Sequence, residues 1–197
     1  MPHKVAGVCA VVLWQMAQWG MMTPDIEDIG MGVLKIRTEK QEDKARVATL
    51  LARTYRAEGV KAIELAGEIR RQPARDMSLA MVAEDDGEAI ACAMFTPVTV
   101  GSQQKAVVLA SLGFDTKKEQ LDVFAVLNGV LDKVKDQGHR YVLMRGDAKT
   151  FGQQGFVRSQ DMGLTFTGKE SDWLVKDLDP EASGKVSGKV ELPAYLL

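Results

Sequence analysis

The chain has 197 residues, 46% of them hydrophobic and 26% charged, with a formal net charge of -2. That composition fits one folded domain plus an extension and excludes a disordered chain. The near-neutral charge excludes a global basic field for nucleic acid or an anionic membrane. Two cysteines, Cys9 and Cys92, make neither a disulfide framework nor a metal site by themselves, and with two histidines a zinc centre or a serine–histidine triad has few members to draw on.

Residues 1–32 form an extension, and the domain is expected over 33–197. Val5 to Met22 carries no charge and includes Trp14 and Trp19. Three readings stay open for it: a translation start placed too early, a packing element, or a targeting segment. Gln15, Gln18, Gly7 and Gly20 weaken a membrane span. Thr23 to Asp28 is an acidic, turn-like separator. No catalytic role falls on this stretch.

Val33–Arg37 alternates and is β-rich, which predicts a first strand. Thr38 leads into a helix over Gln41–Arg56, with Val47, Leu50, Leu51 and Tyr55 at helical spacing and Gly59 closing it. Lys61–Arg71 is a second helix, ended by Pro73. Ser78–Ala83, Ala89–Val100 and Ala106–Leu112 are three strands of an antiparallel run, joined by turns at Glu84–Gly87 and Gly101–Lys105. Cys92 lies in the second of these, as a buried small hydrophobe. Glu119–Val134 is an amphipathic helix with Leu121, Phe124, Leu127, Val130, Leu131 and Val134 on one side, stopped by Gly138. Tyr141–Met144 is a buried strand, Gly146–Gln154 a turn with a short helix, and Trp173–Val175 a strand. Ser183–Tyr195 is an edge strand or hairpin arm. The order β-α-α-β-β-β-α-β-α-β predicts an α/β (mixed α+β) domain with a mostly antiparallel mixed sheet and helices on both faces.

Tyr141–Asp147, Phe151-x-x-x-Gly155-Phe156, Val186-Ser-Gly188, Pro193-Ala-Tyr195 and Phe95-x-Pro97-Val98 together resemble the GNAT superfamily of acetyl-CoA-dependent N-acyltransferases. More narrowly they are similar to a bacterial subgroup of predicted acetyltransferases. The resemblance runs from Ile36-Arg37 to the end of the chain. It implies acetyl-CoA or another acyl-CoA as donor, no metal, and a small-molecule or protein amine as acceptor. Composition and the near-neutral charge point to a cytoplasmic protein with no nucleic-acid or membrane partner, and a homodimer is left open.

In that family the strand before the long helix splays from its neighbour, and its backbone pairs with the pantetheine arm. Here that strand is Leu109–Phe114. The loop after it presents glycine-spaced amides at a helix N-terminus to the pyrophosphate, where partial positive charge and free N–H groups favour an anion. The resemblance puts this loop on Lys118 to Val123, with Leu121 and Val123 at the glycine positions and Asp122 adding a like charge. No glycine occurs between Gly113 and Gly129. The residues implied to contact the cofactor are Leu112, Gly113, Phe114, Lys117, Lys118 and Gln120, with Lys117 and Lys118 the only ones that favour an anion. The family's proton-donating tyrosine falls on Phe151, which has no proton to give. Glu84, Asp147 and His139 are weak base candidates, Asp147 reading better as a helix cap, and no catalytic residue is assigned. The tandem Ser-Gly-Lys-Val at 183–190 fails the spacing of a phosphate loop. Two functions follow: an acyl-CoA N-acyltransferase with a degraded pyrophosphate loop, or a catalytically inactive ligand-sensing or interaction module on the same fold.

Overall fold

A computed structural model of the chain describes residues 34–72, 79–101, 103–118, 121–166, 172–182 and 184–196, with backbone alone at 103–105. The extension at 1–32, Val33, Pro73, Ser78 and Gln120 lie outside the described residues. Strand β1 (Lys35–Thr38) precedes helices α1 (Lys44–Tyr55) and α2 (Gly59–Arg71). Strands β2 (Ala80–Asp85), β3 (Glu88–Val100) and β4 (Gln103–Phe114) follow, then α3 (Val123–Asp136) and β5 (Tyr141–Arg145). A short α4 (Ala148–Phe151) leads to β6 (Val157–Arg158), β7 (Leu164–Thr165), β8 (Trp173–Asp177) and β9 (Gly188–Glu191).

The strands pair in the order β1-β2-β3-β4-β5-β8-β6, while β9 joins the far end of β3 and pairs with β7. Neighbours are antiparallel except at β4–β5 and β7–β9. This is the expected mixed sheet. Strands β6 and β7 are two residues each, too short to show a period in sequence. The tail arm joins β3 and β7, so it does not form a hairpin with its own neighbour.

Alternation along the strands buries two cores. One packs α1 and α2 on one face, through Val47, Leu50, Leu51, Tyr55, Ala62, Leu65 and Ile69 against Val82, Ile90, Met94 and Val108. The other packs α3 and α4 on the opposite face, through Leu127, Val130, Leu131, Val134 and Phe151 against Phe95, Val107, Leu109 and Val142. Cys92 is buried in the first core, and burial pushes its thiol up to about 12, the inert state expected of a packed cysteine.

Two helix boundaries differ from expectation. Gly59 does not close α1; it opens α2. A Cβ there would come within 2.8 Å of the Ala52 Cα, so glycine is what lets the two helices meet at this corner. The chain leaves α1 instead at Arg56, with φ 48 and ψ -112. The α3 helix starts at Val123, four residues later than its apolar pattern predicts, because Asp122 takes extended backbone and caps it. Gln72 is extended, as the residue before Pro73 should be, and α2 ends at Arg71.

Candidate functional site: the gap between β4 and β5

Strands β4 and β5 hold parallel register from Ala106↔Tyr141 to Val108↔Leu143. Beyond that point β4 continues to Phe114 along β3, and β5 continues to Arg145 along β8. At the point of divergence the β3–β4 register passes over Ala110, since Met94 faces Ser111 and Phe95 faces Leu109. An extra residue of this kind bends a strand and re-aims its backbone.

The direction of the β4 backbone follows from one bond. The Asp115 amide donates to the Ile90 carbonyl at 2.7 Å, its partner across the hairpin. In an antiparallel ladder such pairs alternate, so Gly113 turns its polar groups to β3 while Leu112 and Phe114 turn theirs away, toward the β5 side. Two of the three β4 residues expected to meet a pantetheine arm therefore face the gap. Gly113 faces inward: a Cβ there would lie 3.0 Å from the Cys92 Sγ and the Leu51 Cδ2, so its missing side chain serves the packing of α1.

The Leu112 amide and both polar groups of Phe114 already have partners. The Leu112 amide donates to the Tyr55 hydroxyl at 3.2 Å. The Phe114 amide donates to the Thr54 hydroxyl at 2.9 Å, and that hydroxyl donates to the Phe114 carbonyl at 3.1 Å. Thr54 and Tyr55 form the last turn of α1 and are buried. Sequence reading took Tyr55 as a core residue and passed over Thr54. The usable signal was a pair of hydroxyls on the buried stripe of a helix, since such groups need partners.

The β4–α3 loop is tied down by charge. Asp115, buried at its start, meets Arg46 at 2.7 Å and Arg53 at 3.3 Å and accepts from the Lys117 amide at 3.1 Å. Burial alone would raise its carboxyl; the Lys117 amide and the arginines outweigh that and hold it below the ordinary aspartate range. Arg46 also donates to the Ala89 carbonyl, so it pins α1 to the β2–β3 hairpin. Lys118, expected to favour an anion, has one within the chain: Asp85 at 2.6 Å, whose hydrogen bond raises the lysine's pKa. The side chain of Lys117 is exposed.

At the start of α3 the Asp122 carboxylate accepts from the Phe124 amide at 2.9 Å and the Ala125 amide at 3.0 Å. Leu121 and Val123 are both half-buried and pack against the core. The group standing at the helix amides is the Asp122 carboxylate.

Around the β5–α4 turn, Asp147 accepts from the Thr150 amide at 2.8 Å and the Thr150 hydroxyl at 2.7 Å, the cap its position predicts. Those bonds hold its carboxyl below the usual aspartate range. Phe151 is fully buried and meets Phe124 and Phe156 edge to face at 6.0 and 6.1 Å, so it is a packing residue. Glu84 is bound by the Arg37 Nε at 2.6 Å, and that hydrogen bond lowers its pKa. His139 is half-buried, with its amide on the Val134 carbonyl. The remaining tyrosine hydroxyls are engaged as well: Tyr141 donates to the Gly184 carbonyl, and Tyr195 pairs with Thr96 at 2.6 Å.

Among the described residues, no cluster of three or more histidine, cysteine, aspartate or glutamate side chains is arranged to hold a metal ion, and no helix is long and apolar enough to cross a membrane.

No protein-family model matches the chain, and no curated protein matches it. Solved structures do. A GNAT family N-acetyltransferase (YhbS) from Escherichia coli, solved in complex with CoA, is 27% identical, with a TM-score of 0.70 over 87% of this chain and 95% of that one. A GNAT family acetyltransferase from Brucella melitensis, in complex with acetyl-CoA, is 18% identical, with a TM-score of 0.62 over 82% and 97%. The ribosomal-protein-S18-alanine N-acetyltransferase from Escherichia coli is 14% identical, with a TM-score of 0.52 over 74% and 94%. The last two bear on fold alone. With its mixed, mostly antiparallel sheet and flanking helices, the chain has by structural similarity the GNAT fold of the N-acetyltransferases.

Proposed function

We propose that the protein transfers an acetyl or longer acyl group from an acyl-CoA to a primary amine of a small molecule or a protein. One observation carries this: β4 turns the Leu112 amide and both polar groups of Phe114 into the gap beside β5, in a fold shared with a CoA-bound relative. Backbone groups of that kind pair with the amides of a pantetheine arm. In the reaction the amine nitrogen attacks the thioester carbonyl, the C–N bond forms, and the C–S bond breaks to release the thiolate. Positioning and a backbone donor for the developing oxyanion supply most of what this step needs. Phe151 offers no proton to the leaving thiolate, so solvent provides it, or the nitrogen itself once its C–N bond has formed and left it cationic. Glu84 and Asp147, both held ionised by their partners, are poor bases, and the acceptor has to arrive as the free amine.

A second reading is a non-catalytic ligand-sensing or interaction module. It is favoured by a specific observation: the amides of Phe124 and Ala125 and the ammonium of Lys118 are already satisfied by Asp122 and Asp85. Thermal melting of the full chain with acetyl-CoA and longer acyl-CoAs, followed by thiol release with a panel of amines, separates the two. The transferase raises its melting temperature in proportion to occupancy and releases free CoA. No shift at millimolar donor removes the transferase reading and leaves the module.

A further inference from the structure

We propose that the last turn of α1 is a latch, with Thr54 and Tyr55 standing in for the pantetheine arm on the β4 edge until an acyl-CoA displaces them. This rests on the acyl-CoA reading above. Three independent features converge on it.

The first is chemical. An amide of a bound ligand arm offers one donor and one acceptor, and the Thr54 hydroxyl makes both of those bonds to Phe114, accepting at 2.9 Å and donating at 3.1 Å. The Tyr55 hydroxyl takes the next gap-facing amide, that of Leu112. At such an edge each exchange replaces one hydrogen bond of β4 by another, so the cost of opening is that of moving Thr54 and Tyr55, both buried, out of the core.

The second is where the backbone is strained. Arg56 follows Tyr55 directly and sits at φ 48 with ψ -112, a region that only glycine occupies at ease. Strain at a residue joining a latch to the rest of the chain is released when the latch opens, so it offsets part of the opening cost.

The third is what holds still on either side. Arg46 is tied to Asp115, Glu88 and the Ala89 carbonyl, and Arg53 to Asp115. Beyond the strained residue, Gly59 abuts Ala52 with no room for a side chain. Motion is thereby confined to 54–58, the last two residues of α1 and a 3-10 turn between two anchored points.

A closed latch lowers apparent affinity by the fraction of molecules that are open, so removing its hydrogen bonds tightens donor binding. A merely structural pair would do the reverse. Calorimetric titration of acetyl-CoA into the full chain, with Thr54→Val, Tyr55→Phe and the double variant, reads this directly. The double variant is expected to bind about tenfold tighter than the unaltered chain, and Thr54→Ser, which keeps the hydroxyl, is expected to match the unaltered chain. Amide exchange in the ligand-free proteins is the second measurement: Leu112 and Phe114 are protected in the unaltered chain and lose protection in the variants. Equal affinity across all four variants, with acetyl-CoA bound by each, overturns the latch and leaves the transferase reading standing. Absence of binding by every protein at millimolar acetyl-CoA overturns the transferase reading and the latch with it. Should the double variant fail to fold, the Thr54→Val and Thr54→Ser pair decides alone.

Discussion

The β4–α3 and β5–α4 corners use the same local device and close in opposite ways. Each is a strand, a short loop and a helix whose first turn is capped by an aspartate, Asp122 in one and Asp147 in the other. At the β5–α4 corner the strand stays paired along its length with β8, and the loop closes over Phe151, Phe124 and Phe156. At the β4–α3 corner the strand edge turns to a gap and is closed by hydroxyls and carboxylates: Thr54, Tyr55, Asp122 and the Asp85–Lys118 pair. An apolar closure cannot be exchanged for a ligand without opening a cavity. A polar one loses no hydrogen bonds in the exchange, since a ligand's own amides and phosphates replace the bonds it removes. The difference between the corners is one of replaceability, and under the proposed function it puts the donor at the β4–α3 corner.

Truncating the apolar corner sharpens the contrast most. Phe151→Ala removes a fully buried ring and should cost about 3–5 kcal/mol, read as a lower midpoint in urea with an unchanged slope. A cost near zero would mean the corner collapses freely and is not a packed closure. Next is Gly113→Ala, which brings a methyl to 3.0 Å from Cys92 and Leu51 and 3.2 Å from the Leu51 amide nitrogen. Overpacking there is expected to cost about 1–3 kcal/mol. A neutral result in the same urea titration would show that the whole of α1 shifts on the sheet, against a motion confined to its last turn.

The two caps then test replaceability itself. Asp122→Ala and Asp147→Ala should each lose about 1 kcal/mol from the missing cap. Only Asp122→Ala should also strengthen acetyl-CoA binding, because it frees the Phe124 and Ala125 amides for a phosphate. Equal effects on binding would erase the distinction between the corners. The smallest effect is a pH dependence at Asp147. Its folded-state pKa is depressed, so the cap contributes above the unfolded value and is lost as pH falls through the folded one. The stability gap between the unaltered chain and Asp147→Ala should hold at neutral pH and close below about pH 4, as followed by urea titrations at both ends.

Most of the architecture was legible because it rests on periods of two and 3.6. The long strands at 88–100 and 103–114, the α1, α2 and α3 helices, and the Asp147 cap all declare themselves in the spacing of apolar and capping residues. Where local rules failed, a tertiary contact had overruled them. Gly59 looked like a stop and is a contact point, and the apolar pattern from residue 119 suggested a helix that starts only at Val123. Lys118 looked free for an anion and is paired with Asp85, which is 33 residues away.

By itself the sequence determined the fold class, the order of its elements, a phenylalanine with no hydroxyl at 151 and the absence of glycines between Gly113 and Gly129. Each of these is carried by residue type at one position or by short-range spacing. Which atoms face the gap was decided only in three dimensions. The direction of the Leu112 and Phe114 backbone depends on the β3–β4 register, and their occupancy depends on Thr54 and Tyr55, about sixty residues earlier in the chain. No local pattern encodes such a bond, because it forms only after the sheet has set the strand and the core has set the helix.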